Sequence, residues 1–328
     1  MKMNFWKTWK RIAITEFLAI FMTGCALLSK PYTRSGFALD TMVSITLYDT
    51  DEKHANEVMD AAFDRLMEYD RLFDPNNPES DIYRMNHAEG KEVTVSDDTM
   101  ELLRLAAGYA KISDGLLDIT IQPLYVLWDF QGSHETLPDE TAIKGALATV
   151  DHHNIHLTGD RTVMLSHNAQ VNPGAIAKGY IADRLKDYLL SQGITSALIN
   201  LGGNVLTIGH KPDGSDYNIG LQKPFDDMGE MITDVSVSDR SVVTSGIYQR
   251  YFSYNDRIYH HILDPETGYP KDTDLNAAVI IADSSVDADA YSTICMLLGK
   301  EQAGIFIKEH PEISAILIDR DNHITNIP

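Results

Sequence analysis

Two adjacent histidines, His260 and His261, stand before a D-P-E-T-G turn in YHHILDPETGYP (259–270). Neighbours in an extended chain point to opposite faces, so at most one of them enters a given site. Alternation groups Tyr259, His261 and Leu263 on one side and His260 and Ile262 on the other. A neutral imidazole at a strand end can take a proton from an attacking hydroxyl or hold a substrate oxygen. A surface histidine fits the same residues. In VDADAYSTICMLLG (286–299), Asp289 and Thr293 are four apart and share a face if the segment is helical. A carboxylate and a hydroxyl there are hard oxygen ligands suited to Mg²⁺, which takes few protein ligands and keeps water or phosphate oxygens. Asp287 points elsewhere. Acids at a helix start also satisfy the helix dipole, so this pair has a purely structural reading too.

Three further segments offer polar groups to an anion. VNPGAIAKGYIADR (171–184) runs from a Pro173-Gly174 turn into a helix with Lys178 in its first turns. A helix start with a lysine attracts phosphate, although an ordinary helix start looks the same. INLGGNV (199–205) pairs two glycines after a β run, allowing close approach to the backbone. VVTSGIYQRYF (242–252) presents the hydroxyls of Thr244 and Ser245 beside Gly246, as a phosphate site or a capped turn. Neither the P-loop spacing nor the G-x-G-x-x-G fingerprint is present.

The elements that must position these groups alternate between helix and strand. The sequence predicts a strand over 37–49, helices over 54–73, 96–115, 139–150 and 174–193, and a hairpin over 154–166. Ser96 is the expected N-cap of the second helix, with Gly115 beyond its end. A strand runs into the Gly202-Gly203 turn, and strands and turns fill 204–282. A helix over 284–299, a shorter one over 300–310 and a last strand over 313–320 complete the pattern. With no repeat and no long linker after residue 35, the reading is one mixed α+β domain of antiparallel strands and packed helices.

The chain has 328 residues and a net charge of -21, a balance that disfavours nucleic-acid partners and makes an anionic ligand depend on local cations or a metal. The first segment differs. MKMNFWKTWKR is basic, IAITEFLAIF is mostly apolar, and MTGC places small residues before Cys25. This resembles a bacterial lipoprotein signal: residues 1–24 removed, Cys25 lipidated, 25–35 a tether and 36–328 the folded domain, held at the outer face of the cell membrane. Removing a net +3 from -21 leaves -24. Cys295 then has no intramolecular partner and is expected to pack as a buried hydrophobe.

Each motif alone is weak, but their order is specific. FALDTMVSITLYD, DITIQPLYVLWDF, NPGAIAKGYIADR, NLGGNV, VVTSGIYQRYF, YHHILDPETGYP and ADAYSTICMLLG together resemble the ApbE family, the FAD:protein FMN transferases, over roughly residues 36–320. The resemblance implies a T-fold-like α+β architecture. It also implies a Mg²⁺-dependent enzyme that moves FMN from FAD to a threonine or serine of an extracytoplasmic acceptor protein, leaving a phosphoester-linked flavin and AMP. It places metal ligands at Asp289, Thr293 and the Ala175 backbone carbonyl, and nucleotide contacts at Leu39, Leu117, Asp118 and Lys178, with Asn76 near a further FAD-packing position. His261 is the residue it selects from the pair, as base or phosphate contact. Asn172 stands where the family usually has Asp, which replaces a carboxylate with an amide that can still hydrogen-bond FAD. The stretch PDGSDYNIG lacks the threonine of an acceptor motif, so self-flavinylation is not expected. A Mg²⁺-dependent FAD pyrophosphatase would share every motif. A flavin-storing or solute-binding lipoprotein would need neither His261 nor the Asp289/Thr293 pair.

Overall fold

A computed structural model describes residues 30–328 apart from 131, 133–135, 227 and 228. The segment 1–29, with Cys25 and its proposed lipidation, lies outside the described residues. Eight strands form one antiparallel sheet in which spatial order equals chain order: β1 (Tyr32–Ala38), β2 (Thr41–Leu47), β3 (Ala197–Leu201), β4 (Asn204–Ile208), β5 (Ser241–Gly246), β6 (Leu275–Ala282), β7 (Ser314–Asp319) and β8 (Ile324–Ile327). Seven helices are present among the described residues: α1 (Glu52–Phe73), α2 (Asp81–Asn86), α3 (Asp97–Ile112), α4 (Gln122–Trp128), α5 (Glu140–Leu147), α6 (Ala177–Ser191) and α7 (Ser285–Glu309).

The central strands are buried on both faces, which is why NVLTI and LNAAVIIA are mostly apolar without alternating. One face carries Ile45, Ile199, Leu206, Val243, Ile280 and Leu317 into a core shared with α1, α6 and α7. The other face carries Val205, Val242, Val279 and Ile316 against a ribbon of 217–222 paired with 231–237. A smaller cluster of Leu124, Trp128, Ile143, Tyr259 and Leu263 lies apart from both. Cys295 is fully buried, as its apolar neighbours implied.

The expected α+β architecture holds, with local corrections. The strand predicted over 37–49 is interrupted by a hairpin turn, with 37–38 ending one arm and 41–47 forming the other. The chain turns at Leu39-Asp40, both at positive φ (54° and 56°), and residues 32–35, expected to be tether, belong to the first arm. No glycine or asparagine marks that turn, so turn chemistry did not reveal it. α4 was hidden because after Gln122 the segment PLYVLW is apolar without helical periodicity, and the helix is only seven residues long. The expected break between two C-terminal helices is real: Gly299 leaves helical geometry (φ 75°, ψ 171°) and kinks α7. Ser96 caps α3 by accepting from the Thr99 N–H, and Gly115 lies beyond the helix at φ 86°. The predicted hairpin over 154–166 pairs 155–157 with 162–165 and gains a third short strand, 93–94.

Candidate active site

The groups singled out above meet around one cavity of about 720 Å³, within the size range of small-molecule sites. Its wall is built by the Leu39-Asp40 turn, the chain after α1, the segment 116–130, the approach to α6, the end of β5, the stretch 261–265 and one face of α7. Of the sequence-derived candidates within the described residues, Leu39, Asn76, Leu117, Asp118, Asn172, Ala175, Lys178, Thr244, Ser245, His261, Asp289 and Thr293 line it, whereas the Gly202-Gly203 turn does not.

Asp289 reaches the site because α6 and α7 cross at Gly179. A Cβ there would overlap the Ser285 carbonyl and fall 2.6 Å from the Val286 Cα and 2.8 Å from the Asp289 Cβ. The crossing is pinned by Asp183, whose carboxylate accepts from the N–H groups of Ser285 (2.9 Å) and Val286 (3.0 Å) at the start of α7. The Gly179 N–H donates to Asp289 Oδ2 at 2.8 Å instead of entering the helical ladder. Among the described residues no backbone N–H takes the Ala175 carbonyl, the acceptor Gly179 would otherwise have had. Burial pushes the Asp289 pKa up to about 6, against the pull of Lys178. Thr293 is one turn along, its Oγ1 3.2 Å from Ser245 Oγ. Asp287 points away and accepts from Tyr109 Oη at 2.6 Å. A buried carboxylate with one oxygen open, a neighbouring hydroxyl and a released carbonyl form a hard-oxygen set that fits Mg²⁺.

Lys178 enters beside Asp289, and burial lowers its pKa while Asp289 opposes the shift. The anion cradle expected at the start of α6 is smaller than the sequence suggested. The N–H groups of Gly174, Ile176, Ala177 and Gly179 are already taken by Asn172, Pro173 and Asp289. Positive charge at the cavity wall therefore comes from side chains, Lys178 and Arg250. Arg250 donates to Tyr125 Oη at 3.2 Å and lines the same cavity. Sequence reasoning quoted its segment but passed over it, since Q-R-Y carries no spacing signal.

His261 lies just past the strand 257–260, which pairs with 251–254. Its direction is therefore set by bonds rather than by strand alternation. Its backbone N–H donates to the Arg250 carbonyl at 3.1 Å, and its ring Nδ1 lies 3.2 Å from the same oxygen. A carbonyl only accepts, so Nδ1 carries the proton and Nε2 keeps its lone pair. Burial, with Arg250, His260 and Lys178 nearby, holds the His261 pKa down to about 3. His260 turns the other way, its Nε2 3.0 Å from the Lys271 carbonyl, and it is not part of the cavity wall. The D-P-E-T-G turn anchors this stretch: Asp264 receives Lys271 Nζ and the Glu266 N–H, and Trp128 Nε1 donates to the Gly268 carbonyl at 2.8 Å.

Leu39 puts a non-glycine residue in the left-handed region at the cavity edge, a conformation that costs about 1–2 kcal/mol. Its N–H is held by Asp70 Oδ1 at 3.1 Å. Asn76 is exposed on the rim, its N–H bonded to Asp74. Leu117 is buried. The Asp118 carboxylate is tied to Thr120 and to the His152 N–H, so it shapes the wall from within. The Asn172 side chain bonds Gly174 and Gln122.

A family model described as the ApbE family matches residues 39–317. This chain belongs to the ApbE family. Its similarity to other ApbE proteins spans nearly the whole chain. It is 35% identical to an FAD:protein FMN transferase of Klebsiella pneumoniae, covering 90% of this chain and 92% of that one. It is 31% identical to an FAD:protein FMN transferase of Treponema pallidum, covering 90% and 86%. The crystal structure of the ApbE protein of Thermotoga maritima superposes with a TM-score of 0.84 at 29% identity, covering 91% of this chain and 97% of the other.

Proposed function

We propose that the chain is a Mg²⁺-dependent FAD:protein FMN transferase, the activity for which its ApbE relatives are named. The observation that carries the reading is the meeting in one cavity of a neutral His261 whose Nε2 has no hydrogen-bond partner among the described residues, two cations, and the oxygen set of Asp289, Thr293 and Ala175. The acceptor's hydroxyl oxygen forms a bond to the FMN-side phosphorus. The bond from that phosphorus to the bridging oxygen breaks, and AMP leaves with that oxygen. His261 Nε2 receives the hydroxyl proton as attack proceeds. Lys178 and Arg250 hold the diphosphate, and Thr244 and Ser245 offer hydroxyls to its oxygens. Mg²⁺, held by Asp289, Thr293 and the Ala175 carbonyl, would neutralise charge building on the phosphate oxygens. Leu39, Leu117 and the rim at Asn76 bound the space for the flavin. The product is a phosphoester-linked flavin on a threonine or serine. Lipidation at Cys25 would hold the enzyme, and with it an extracytoplasmic acceptor, at the outer face of the cell membrane.

The test is incubation of the protein with FAD, Mg²⁺ and an acceptor domain. A flavin-fluorescent acceptor band that survives denaturation, with one AMP released per flavin attached, is expected. AMP and free FMN without a labelled acceptor would mark a pyrophosphatase instead.

A further inference from the structure

The side chains of Asn172 and Gln122 form a relay whose polarity is set by the backbone. The Gly174 N–H can only donate, and it lies 2.9 Å from the Asn172 side-chain oxygen. Asn172 Nδ2 must then be the other end of that amide, and it donates to Gln122 Oε1 at 2.7 Å. This leaves Gln122 Nε2 as the outward end. Gln122 is 5% exposed and lines the cavity, and among the described residues its Nε2 has no hydrogen-bond partner. The pair rests on an apolar stretch: Asn172 N–H bonds the Ile119 carbonyl at 2.7 Å, and Leu117, Ile121 and Tyr125 share the wall. A neutral donor on an apolar wall suits a neutral acceptor on a flat ring, whereas the anionic diphosphate is matched by Lys178 and Arg250.

We propose that Gln122 is a specificity-determining residue. Its Nε2 donates to a carbonyl or ring-nitrogen acceptor on the pyrimidine edge of the flavin, and Asn172 is the positioning residue that keeps the donor outward. The inference rests on the transferase reading, which supplies the flavin. That edge is rich in acceptors, while adenine sets an amino donor beside N7 on its Hoogsteen edge. The residue type at 172 matters for the same reason. An aspartate there would still accept from Gly174 but could only accept from Gln122. The Gln122 amide would then turn round and show its oxygen to the ligand.

The experiment is calorimetric titration of FAD, FMN and ADP, with Mg²⁺ and no acceptor, into the wild type, Gln122→Leu, Gln122→Glu, Asn172→Asp and the Gln122→Leu/Asn172→Asp double variant. Melting temperatures verify folding, and the near-isosteric Gln122→Glu serves if the leucine variant fails to fold. Loss of one hydrogen bond weakens FAD and FMN binding by about three- to tenfold in each single variant, with ADP binding unchanged. In the double variant the aspartate adds less than about a factor of two beyond Gln122→Leu, because there is no amide left to turn. Unchanged FMN affinity in folded Gln122 variants overturns the inference, as does an equal loss for ADP or an undiminished Asn172→Asp effect in the double variant. A wild type that binds neither FAD nor FMN overturns the transferase reading as well, so the two failures are distinct.

Discussion

The Arg250 carbonyl decides which nitrogen of His261 is basic, because it holds the proton on Nδ1. Replacing His261 with alanine removes the proposed base without touching the two cations or the proposed metal ligands. Transfer should slow by about 10²- to 10⁴-fold, while FAD affinity by fluorescence titration changes little. Undiminished transfer would refute the role. His260 is the internal control, and its signature is stability. Burial holds its pKa down to about 4, below the unfolded value, so the unfolded chain takes the proton first as pH falls. The stability it permits is complete above about pH 6.5 and is lost on the way down to about 4, on the order of 2 kcal/mol by pH 5. His260→Gln can still donate to the Lys271 carbonyl but does not titrate. Between pH 7.5 and 5 its melting temperature should therefore fall less than the wild type's, by roughly 4 °C, with transfer retained. Asp289 gives the opposite pairing of stability and function. Its buried carboxylate is unfavourable without a cation, and asparagine can still accept from the Gly179 N–H. Asp289→Asn should melt no lower than the wild type in EDTA, yet lose the rise in melting temperature that Mg²⁺ with FAD produces, and lose transfer. A variant that keeps the Mg²⁺ response would remove Asp289 from the metal set.

At the scale of elements, the site depends on how closely α6 and α7 cross. Gly179→Ala forces the helices apart or the Asp289 side chain aside. Overpacking of this kind costs about 1–3 kcal/mol. The larger effect should be on Mg²⁺, since the Gly179 N–H to Asp289 bond and the freed Ala175 carbonyl come from the same contact. A raised Mg²⁺ requirement with little change in FMN affinity is the expected result. An unaltered Mg²⁺ titration curve would show that the crossing does not set the metal site. This contact also marks where sequence reading stops. The spacing of Asp289 and Thr293 announced a shared helix face, and the Pro173-Gly174 turn announced a helix start, because both are local signals. That Gly179 exists for the facing Ser285 and Val286 is a property of two segments about a hundred residues apart. The same limit hid Gln122, whose donor is exposed only by what Asn172 and Gly174 do on another segment. It also hid the Leu39-Asp40 turn, which is held from outside by Asp70. His261 was legible for a reason that proved incidental. Alternation only separated the two histidines and the family resemblance selected His261, but the strand ends at His260, and the Arg250 carbonyl orients the ring.

At the scale of the whole molecule, the sheet runs from one edge strand to the other in chain order, so β1 links the N-terminal segment directly to the cavity. Among the described residues no helix is long and apolar enough to cross a membrane, so attachment through Cys25 would act through a lead of seven residues up to Tyr32. Fully extended, that lead spans about 25 Å, and β1 carries the chain about 20 Å further to the turn at Leu39. A lipidated enzyme would thus serve acceptor hydroxyls in a shell close to the bilayer, and the constraint would be one of reach rather than of chemistry. Two measurements separate these. Cells fed an alkyne fatty acid should label the wild type and not Cys25→Ala; an unlabelled wild type, or a labelled alanine variant, would rule the anchor out. A chain beginning at residue 30 should transfer FMN to a detached acceptor domain at the full-length rate, because every cavity residue lies beyond β1. In reconstituted vesicles the same truncated chain should lag behind the lipidated enzyme on a membrane-held acceptor, since only the anchored form gains from confinement to the same surface. Equal rates on the membrane-held acceptor would show that confinement contributes nothing.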